Sequence, residues 1–308
     1  MGMRVAAAQA RCPWLDSTAG VAKVVEFLQR AAADRIDLVA FPETFLSGYP
    51  FWVEQTGGAR FDDPDQKRAY AAYLDAAVEL DGPELRVIVE AVRDLKVFTY
   101  LGITERVRGT VYCTLLAISP EDGIVGVHRK LMPTHEERLV WGIGDGHGLR
   151  THRIGGISVG GLICWENWMP LARHALYAQG EDLHVSVWPG SSRLTGDITR
   201  FIALEGRVYS LAAGTLFSYA DIPTDFPFHD QLAEQASRYD GGSAIAGPDG
   251  QWVVPPVSGE ERLVTADIDP AAVRAERQNF DPAGHYARAD VLRLNVDRRR
   301  PVPAEYVD

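Results

Sequence analysis

The sequence predicts an α/β fold built as one large domain, and three observations carry that reading. Short apolar runs of strand length alternate with longer segments whose apolar residues recur at helical spacing. The 308 residues are 46% apolar, enough to fill a sizeable core. No linker rich in Pro, Gly or Ser, compositional break, internal repeat or low-complexity tract divides them.

Arg4 to Ala10 reads as a short strand, and Thr18 to Asp34 follows as a helix with Val21, Val24, Val25 and Leu28 at helical spacing. Ile36 to Phe41 is a second apolar run. Lys67 to Lys96 is helix-rich and broken at Asp81-Gly82-Pro83, after which Val97 to Ile103 and Thr110 to Ile118 pair as strands through Arg108-Gly109. Ile124 to Lys130 is another strand. Ile157 to Ile163 (strand), Pro170 to Gln179 (helix) and Leu183 to Val187 (strand) continue the alternation, and a helix over Thr199 to Tyr209 leads into the strand Ser210 to Leu216. From Asp281 onward core-like residues are sparse. The expected organisation is one domain over 1–308, with 281–308 a C-terminal extension packing at a subunit interface.

With 31 basic and 42 acidic side chains the formal charge is −11, which disfavours nucleic acid, since phosphate neutralisation needs a basic face. The only basic run is Arg298 to Arg300. Arg4, Gln9 and Arg11 interrupt the N-terminal apolar stretch, and no run of about 18 apolar residues occurs, so neither a secretory leader nor a membrane span is expected. Cys12, Cys113 and Cys164 are an odd number of widely spaced thiols without a C-x-x-C, which fits a reducing, cytoplasmic setting and no zinc site.

Three chemically useful residues close apolar runs: Glu43 after Asp37 to Pro42, Lys130 after Val125 to Arg129, and Cys164 after Val159 to Ile163. In α/β sheets the ligand crevice lies beyond the carboxyl ends of strands, so a base, a cation and a thiol can meet there. A thiol nucleophile needs a proton acceptor, and an ammonium stabilises charge developing on the attacked group. Alone, each has a plainer reading: a buried inert thiol, a turn cap, a solvated strand end. Cys164, however, lies between a strand and the helix at Pro170, after Gly160-Gly161, a setting expected to favour thiolate. Cys12 and Cys113 lack it and read as structural. Of Glu136 and Glu137, one is a candidate second acid or base and the other a solvated charge.

Two motifs mislead. Gly156-Ile157-Ser158-Val159-Gly160 matches G-x-S-x-G, but Ser158 sits early in a strand rather than on a strand-to-helix turn. Gly142-Ile143-Gly144-Asp145-Gly146-His147-Gly148 misses dinucleotide and P-loop spacing, and His135-Glu136 has Leu139 where a second zinc-binding histidine would stand. No cofactor or metal is expected.

Taken together, the motifs resemble the nitrilase superfamily of carbon–nitrogen hydrolases, and within it the nitrilase branch. Phe41-Pro42-Glu43-Thr44-Phe45 with Gly48-Tyr49-Pro50 is similar to the family's general-base motif. His128-Arg129-Lys130-Leu131-Met132-Pro133-Thr134 with Glu136-Glu137-Arg138 and Trp141 is similar to its lysine motif. Gly161-Leu162-Ile163-Cys164-Trp165-Glu166-Asn167 with Met169-Pro170-Leu171 is similar to its nucleophile motif. Gly284-His285-Tyr286-Ala287-Arg288 with Asp290-Val291-Leu292 resembles a C-terminal signature of nitrilases.

The resemblance implies a four-layer α-β-β-α sandwich of the nitrilase type, with homodimers formed through the helices after Cys164 and, in some members, growth into spirals. It implies Glu43 as general base, Lys130 as charge stabiliser, Cys164 as nucleophile and Glu137 as the additional glutamate that positions Lys130 or water. It implies hydrolysis of a nitrile to acid and ammonia through a thioimidate and a thioester. Aromatic residues at the same sheet end point to an arylaliphatic or apolar aliphatic substrate, with Tyr49, Thr134, Trp165 and Trp188 assigned to its pocket. An amidase or carbamoylase with the same Glu-Lys-Cys set, a cyanide dihydratase and a non-catalytic binding protein are the competing readings.

Overall fold

Val5 and Ala7 face one side of the first strand, Ala6 and Ala8 the other, and all four are buried. A strand apolar on both faces demands cover from two directions. In the computed structural model, which describes residues 2–233, 239–302 and 304, a second sheet covers one face and helices the other.

The first half of the chain runs β1 (Met3–Gln9), α1 (Ser17–Ala33), β2 (Leu38–Ala40), the short α2 (Trp52–Gln55), α3 (Pro64–Ala76), α4 (Pro83–Leu95), β3 (Phe98–Val107), β4 (Thr110–Ser119) and β5 (Gly123–Arg129). The second half follows with β6 (His152–Ile154), β7 (Ile157–Ile163), α5 (Pro170–Tyr177), β8 (Leu183–Trp188), α6 (Ser192–Gly206), β9 (Tyr209–Gly214), β10 (Leu216–Phe217) and α7 (His229–Ala233). The last elements are β11 (Tyr239–Ala246), β12 (Trp252–Ser258), β13 (Arg262–Ile268) and α8 (Pro270–Glu276). One sheet has the order β13-β1-β2-β3-β4-β5. The other has β10-β11-β9-β8-β7-β6, with β12 paired to β11.

Between the sheets, Leu38, Ala40, Tyr100 and Leu115 meet Val159, Val185, Val187 and Leu211 in one apolar layer. On the outer face of the first sheet, Val39, Leu101 and Leu116 pack on Phe27 and Leu28 of α1 and Leu85, Ile88 and Val92 of α4. On the outer face of the second, Leu162 packs on Ala172, Ala175 and Leu176 of α5, with α6 alongside over β8 and β9. The result is the expected four-layer α-β-β-α sandwich.

One helix differs from its sequence reading. α6 begins at Ser192 rather than Thr199, because its inward face carries Thr195 and Thr199, which bury their hydroxyls on the carbonyls of Gly242 and Thr195 at 2.7 Å each and so hide the apolar period. Arg207 then ends it in a left-handed conformation, φ 49°. Residues 284–295 are exposed. Beyond them the chain returns to both of its own sheets: Val296 joins the cluster under α5 on the second, and Arg300 reaches Asp145 at 3.0 Å and the Val127 carbonyl, on β5 of the first, at 2.9 Å.

β2 and β3 are parallel, and the pairs β3/β4 and β4/β5 are antiparallel, so β2 and β5 run the same way and end at the same sheet edge. β7 and β8 run parallel in the facing sheet.

Candidate active site

Glu43, Lys130 and Cys164 each follow the last residue of a strand, or nearly so: β2, β5 and β7 respectively. Glu43 sits in a turn that β3 must admit closely. A Cβ on Gly102 would overlap the Pro42 carbonyl and the Glu43 backbone, and the Gly102 carbonyl accepts the Phe45 N–H at 2.8 Å. Lys130 is fixed by its own N–H, which donates to the Cys113 carbonyl at 2.8 Å. Cys164 opens a 3-10 turn, Cys164–Trp168, at φ 51°. A non-glycine residue in the left-handed region turns its side chain out of the strand's pleat, at a cost of roughly 1–3 kcal/mol that the surrounding fold must offset.

These side chains converge between the sheets. Lys130 Nζ donates to Glu43 Oε1 at 2.9 Å and to Glu137 Oε2 at 2.6 Å, and the Trp141 ring lies 5.1 Å from it. The ligating atoms of Glu43, Glu137 and Cys164 lie within 4.8 Å of one another. All four residues are 1–3% exposed. Of the two adjacent glutamates, Glu137 is therefore the one beside Lys130, while Glu136 stays partly exposed on the outside of the turn. Two carboxylates and a sulfur are a possible cation site, but the ammonium already bridges the carboxylates and supplies the positive charge a metal would bring.

Burial governs the electrostatics. It raises the Glu43 carboxyl to about 7, with Lys130 pulling down and Glu137 pushing up. Lys130 is disfavoured by burial, yet Glu43, Cys164 and Glu137 outweigh this and hold it firmly protonated. The Cys164 thiol is pushed well above its usual value by burial and by both carboxylates, against Lys130. The helix setting on which a resting thiolate is expected is absent: α5 starts only at Pro170, too late to present its N-terminus to the sulfur, and the thiol is buried. The carboxylates of Glu43 and Glu137 both stand close enough to that thiol to serve as proton acceptors.

Two residues not singled out from sequence brace the site. Glu166, fully buried, accepts from Ile163 N at 2.9 Å, from Leu131 N at 2.8 Å and from His128 Nε2 at 2.8 Å. It thereby ties the strand end before Cys164 to the one at Lys130. Asn167 donates to the Cys164 carbonyl at 2.9 Å and accepts from Ser186 Oγ at 2.8 Å. The available signal was a carboxylate and an amide inside an otherwise apolar strand-to-helix junction, where an unpaired polar group is costly.

The four expected pocket residues fare differently. The Tyr49 hydroxyl donates to Glu137 Oε1 at 2.8 Å, so its polar end is used in holding that carboxylate. Thr134 caps the turn of Glu137 and gives its N–H to Glu137 Oε2 at 2.6 Å. Trp188 is fully buried, and its carbonyl faces the Glu43 N–H at 3.4 Å. Trp165 is 46% exposed and stacks on Trp168 at 6.2 Å, which stacks on Phe201 at 6.5 Å, so its ring belongs to a surface stack. A different aromatic wall lies nearby: Phe51 stacks on Phe217 at 4.2 Å and meets Tyr239 at 4.3 Å and Tyr49 at 5.1 Å. Tyr49 joins this wall to the site through its bond to Glu137. Ser158 is buried within β7, and Gly144 and Gly148 of the glycine-rich loop press against the backbone of the strand leading to Lys130.

The profile of the carbon-nitrogen hydrolase family matches residues 4–278. The chain is 34% identical to an aliphatic nitrilase of Rhodococcus rhodochrous, covering 97% of this chain and 84% of that one. It is 36% identical to an aliphatic nitrilase of Sinorhizobium fredii (96% and 95% covered) and 34% identical to nitrilase 2 of Arabidopsis thaliana (99% and 91%). Among solved structures, a CN-hydrolase superfamily protein of Xanthomonas campestris superimposes with a TM-score of 0.69 at 20% identity, covering 92% of this chain and 96% of that one. The NitFhit protein of C. elegans does so with 0.73 at 16% identity, covering 98% and 69%.

Proposed function

The chain belongs to the carbon–nitrogen hydrolase family, in its nitrilase branch, and from that we propose that it hydrolyses an organic nitrile to the carboxylic acid and ammonia through covalent intermediates on Cys164. The observation that carries this is the buried contact of Lys130 with both Glu43 and Glu137 within reach of the Cys164 sulfur. Glu43 takes the thiol proton as Sγ adds to the nitrile carbon, and the nitrogen is protonated to give a thioimidate. Water adds to that carbon as Glu43 takes one of its protons, and both protons of the water pass to the nitrogen, which already carries one and leaves as ammonia; a thioester remains. A second water, activated in the same way, releases the acid and restores the thiol. Lys130 stabilises charge on the substrate nitrogen and then on the oxyanion, held in place by Glu137, which Tyr49 and Thr134 fix.

The aromatic wall of Phe51, Tyr49, Phe217 and Tyr239 favours an arylaliphatic substrate, whose ring would stack there. The proposed partner is a second copy of this chain, seated on the exposed stack of Trp165, Trp168 and Phe201 beside Leu171, with residues 284–295 free to join the contact.

Ammonia release from phenylacetonitrile, an aliphatic dinitrile, cyanide and phenylacetamide tests the reading. The expected result is turnover of the nitriles, with Cys164→Ala and Glu43→Gln at least about a thousandfold slower while circular dichroism stays unchanged. Turnover of the amide alone, of cyanide alone, or substantial activity in Cys164→Ala would overturn it.

A further inference from the structure

Cys113 lies in β4, and its sequence context suggests nothing beyond packing. Its Sγ nevertheless stands 3.3 Å from Glu43 Oε1, buried, and its carbonyl holds the Lys130 N–H. One residue therefore touches both the carboxylate and the backbone of the ammonium-bearing residue. The two oxygens of Glu43 are treated unequally. Oε1 receives Lys130 Nζ and the Cys113 thiol; Oε2 is buried and has no protein partner among the described residues. Both oxygens of Glu137 are occupied, by Tyr49 on one side and by Lys130 and Thr134 on the other. Of these four oxygens, Oε2 of Glu43 is the one that receives no protein hydrogen bond among the described residues, leaving both of its lone pairs open to a proton.

We infer that Cys113 is a positioning residue for the reaction: its thiol pins Glu43 Oε1 next to Lys130 and so presents Oε2 as the oxygen that takes the proton from Cys164 and from water. The thiol is not consumed. Its S–H stays on sulfur, and the bond it donates favours the ionised carboxylate, so it works with Lys130 against burial. The inference rests on Glu43 being the base, as proposed above.

The experiment compares Cys113→Ala, which removes the donor, with Cys113→Ser, which keeps one, in kcat/KM for a nitrile measured across pH. Without the thiol the carboxylate is harder to ionise, so the acid limb of the Ala variant moves up by about one pH unit. It runs about tenfold below the parent at pH 6 and converges with it at high pH, whereas the Ser variant stays within about threefold throughout. Thermal unfolding of all three proteins separates this from packing. An unshifted limb in the Ala variant, or equal losses in Ala and Ser at every pH, overturns the inference. If Glu43→Gln is inactive while the Cys113→Ala limb is unmoved, only the role of Cys113 fails. If Glu43→Gln is active, the base assignment itself fails.

Discussion

Glu43 is a carboxylate held where charge is disfavoured, and its ionisation sets the pH dependence of the site. An exposed glutamate would be ionised above about 4.5, but burial moves this one to about 7. As the proposed base, Glu43 is needed as the carboxylate, so activity should rise with pH through that value. The expected kcat/KM profile has an acid limb near neutral pH, falling about tenfold per unit below it, and a limb near 4.5 would contradict the placement. Tyr49→Phe leaves Glu137 Oε1 buried and unpaired, which releases Lys130 from one of its anchors. It should lower kcat about tenfold or more with KM little changed, read in steady-state kinetics with the nitrile that turns over best.

At the scale of elements, β5 delivers Lys130 and is braced by an ion pair that β3 and β4 share. Arg129 donates to both oxygens of Glu105, at 2.8 and 2.6 Å, Thr114 donates to the same carboxylate at 2.7 Å, and the guanidinium covers the Tyr112 ring. Glu105→Ala strands a largely buried cation, so stability should fall by about 3 kcal/mol in chemical denaturation. Gly102→Ala acts on another element, pushing the Glu43 turn away from β3; activity should drop at least about a hundredfold in a protein that still folds. Much of this frame was legible. Strands ending in Glu, Lys and Cys stand out because ionisable residues seldom close buried apolar runs without reason. Cys113, Phe217 and Tyr239 did not stand out, since their roles exist only through contacts with residues far away in the chain. The surroundings of Cys164 are hidden for a related cause: sequence shows which helix follows a thiol, while its distance from that helix and its burial between two sheets appear only in three dimensions. The sequence reading starts α6 late because its buried threonines, bonded to the carbonyls of Gly242 and Thr195, look polar on paper.

At the scale of the molecule, the exposed rings and Leu171 lie on α5, α6 and the turn before them, on the helical layer that covers the sheet bearing Cys164. Leu171→Asp with Phe201→Asp should shift sedimentation from a dimer or larger assembly to the monomer, and a wild-type protein already monomeric at micromolar concentration would contradict the proposed interface. No helix among the described residues is long and apolar enough to cross a membrane. A last consequence follows from β13 lying beside β1, in register from Met3–Ile268 to Gln9–Arg262. On the ribosome β1 waits until residues 10–261 have been made before its antiparallel neighbour emerges. During that interval the first sheet carries an unpaired edge along β1, whose open backbone N–H and C=O groups are the kind of template on which nascent chains pair with one another. Expression yield of this protein should therefore be limited by how well that edge is shielded during synthesis rather than by the stability of the finished fold.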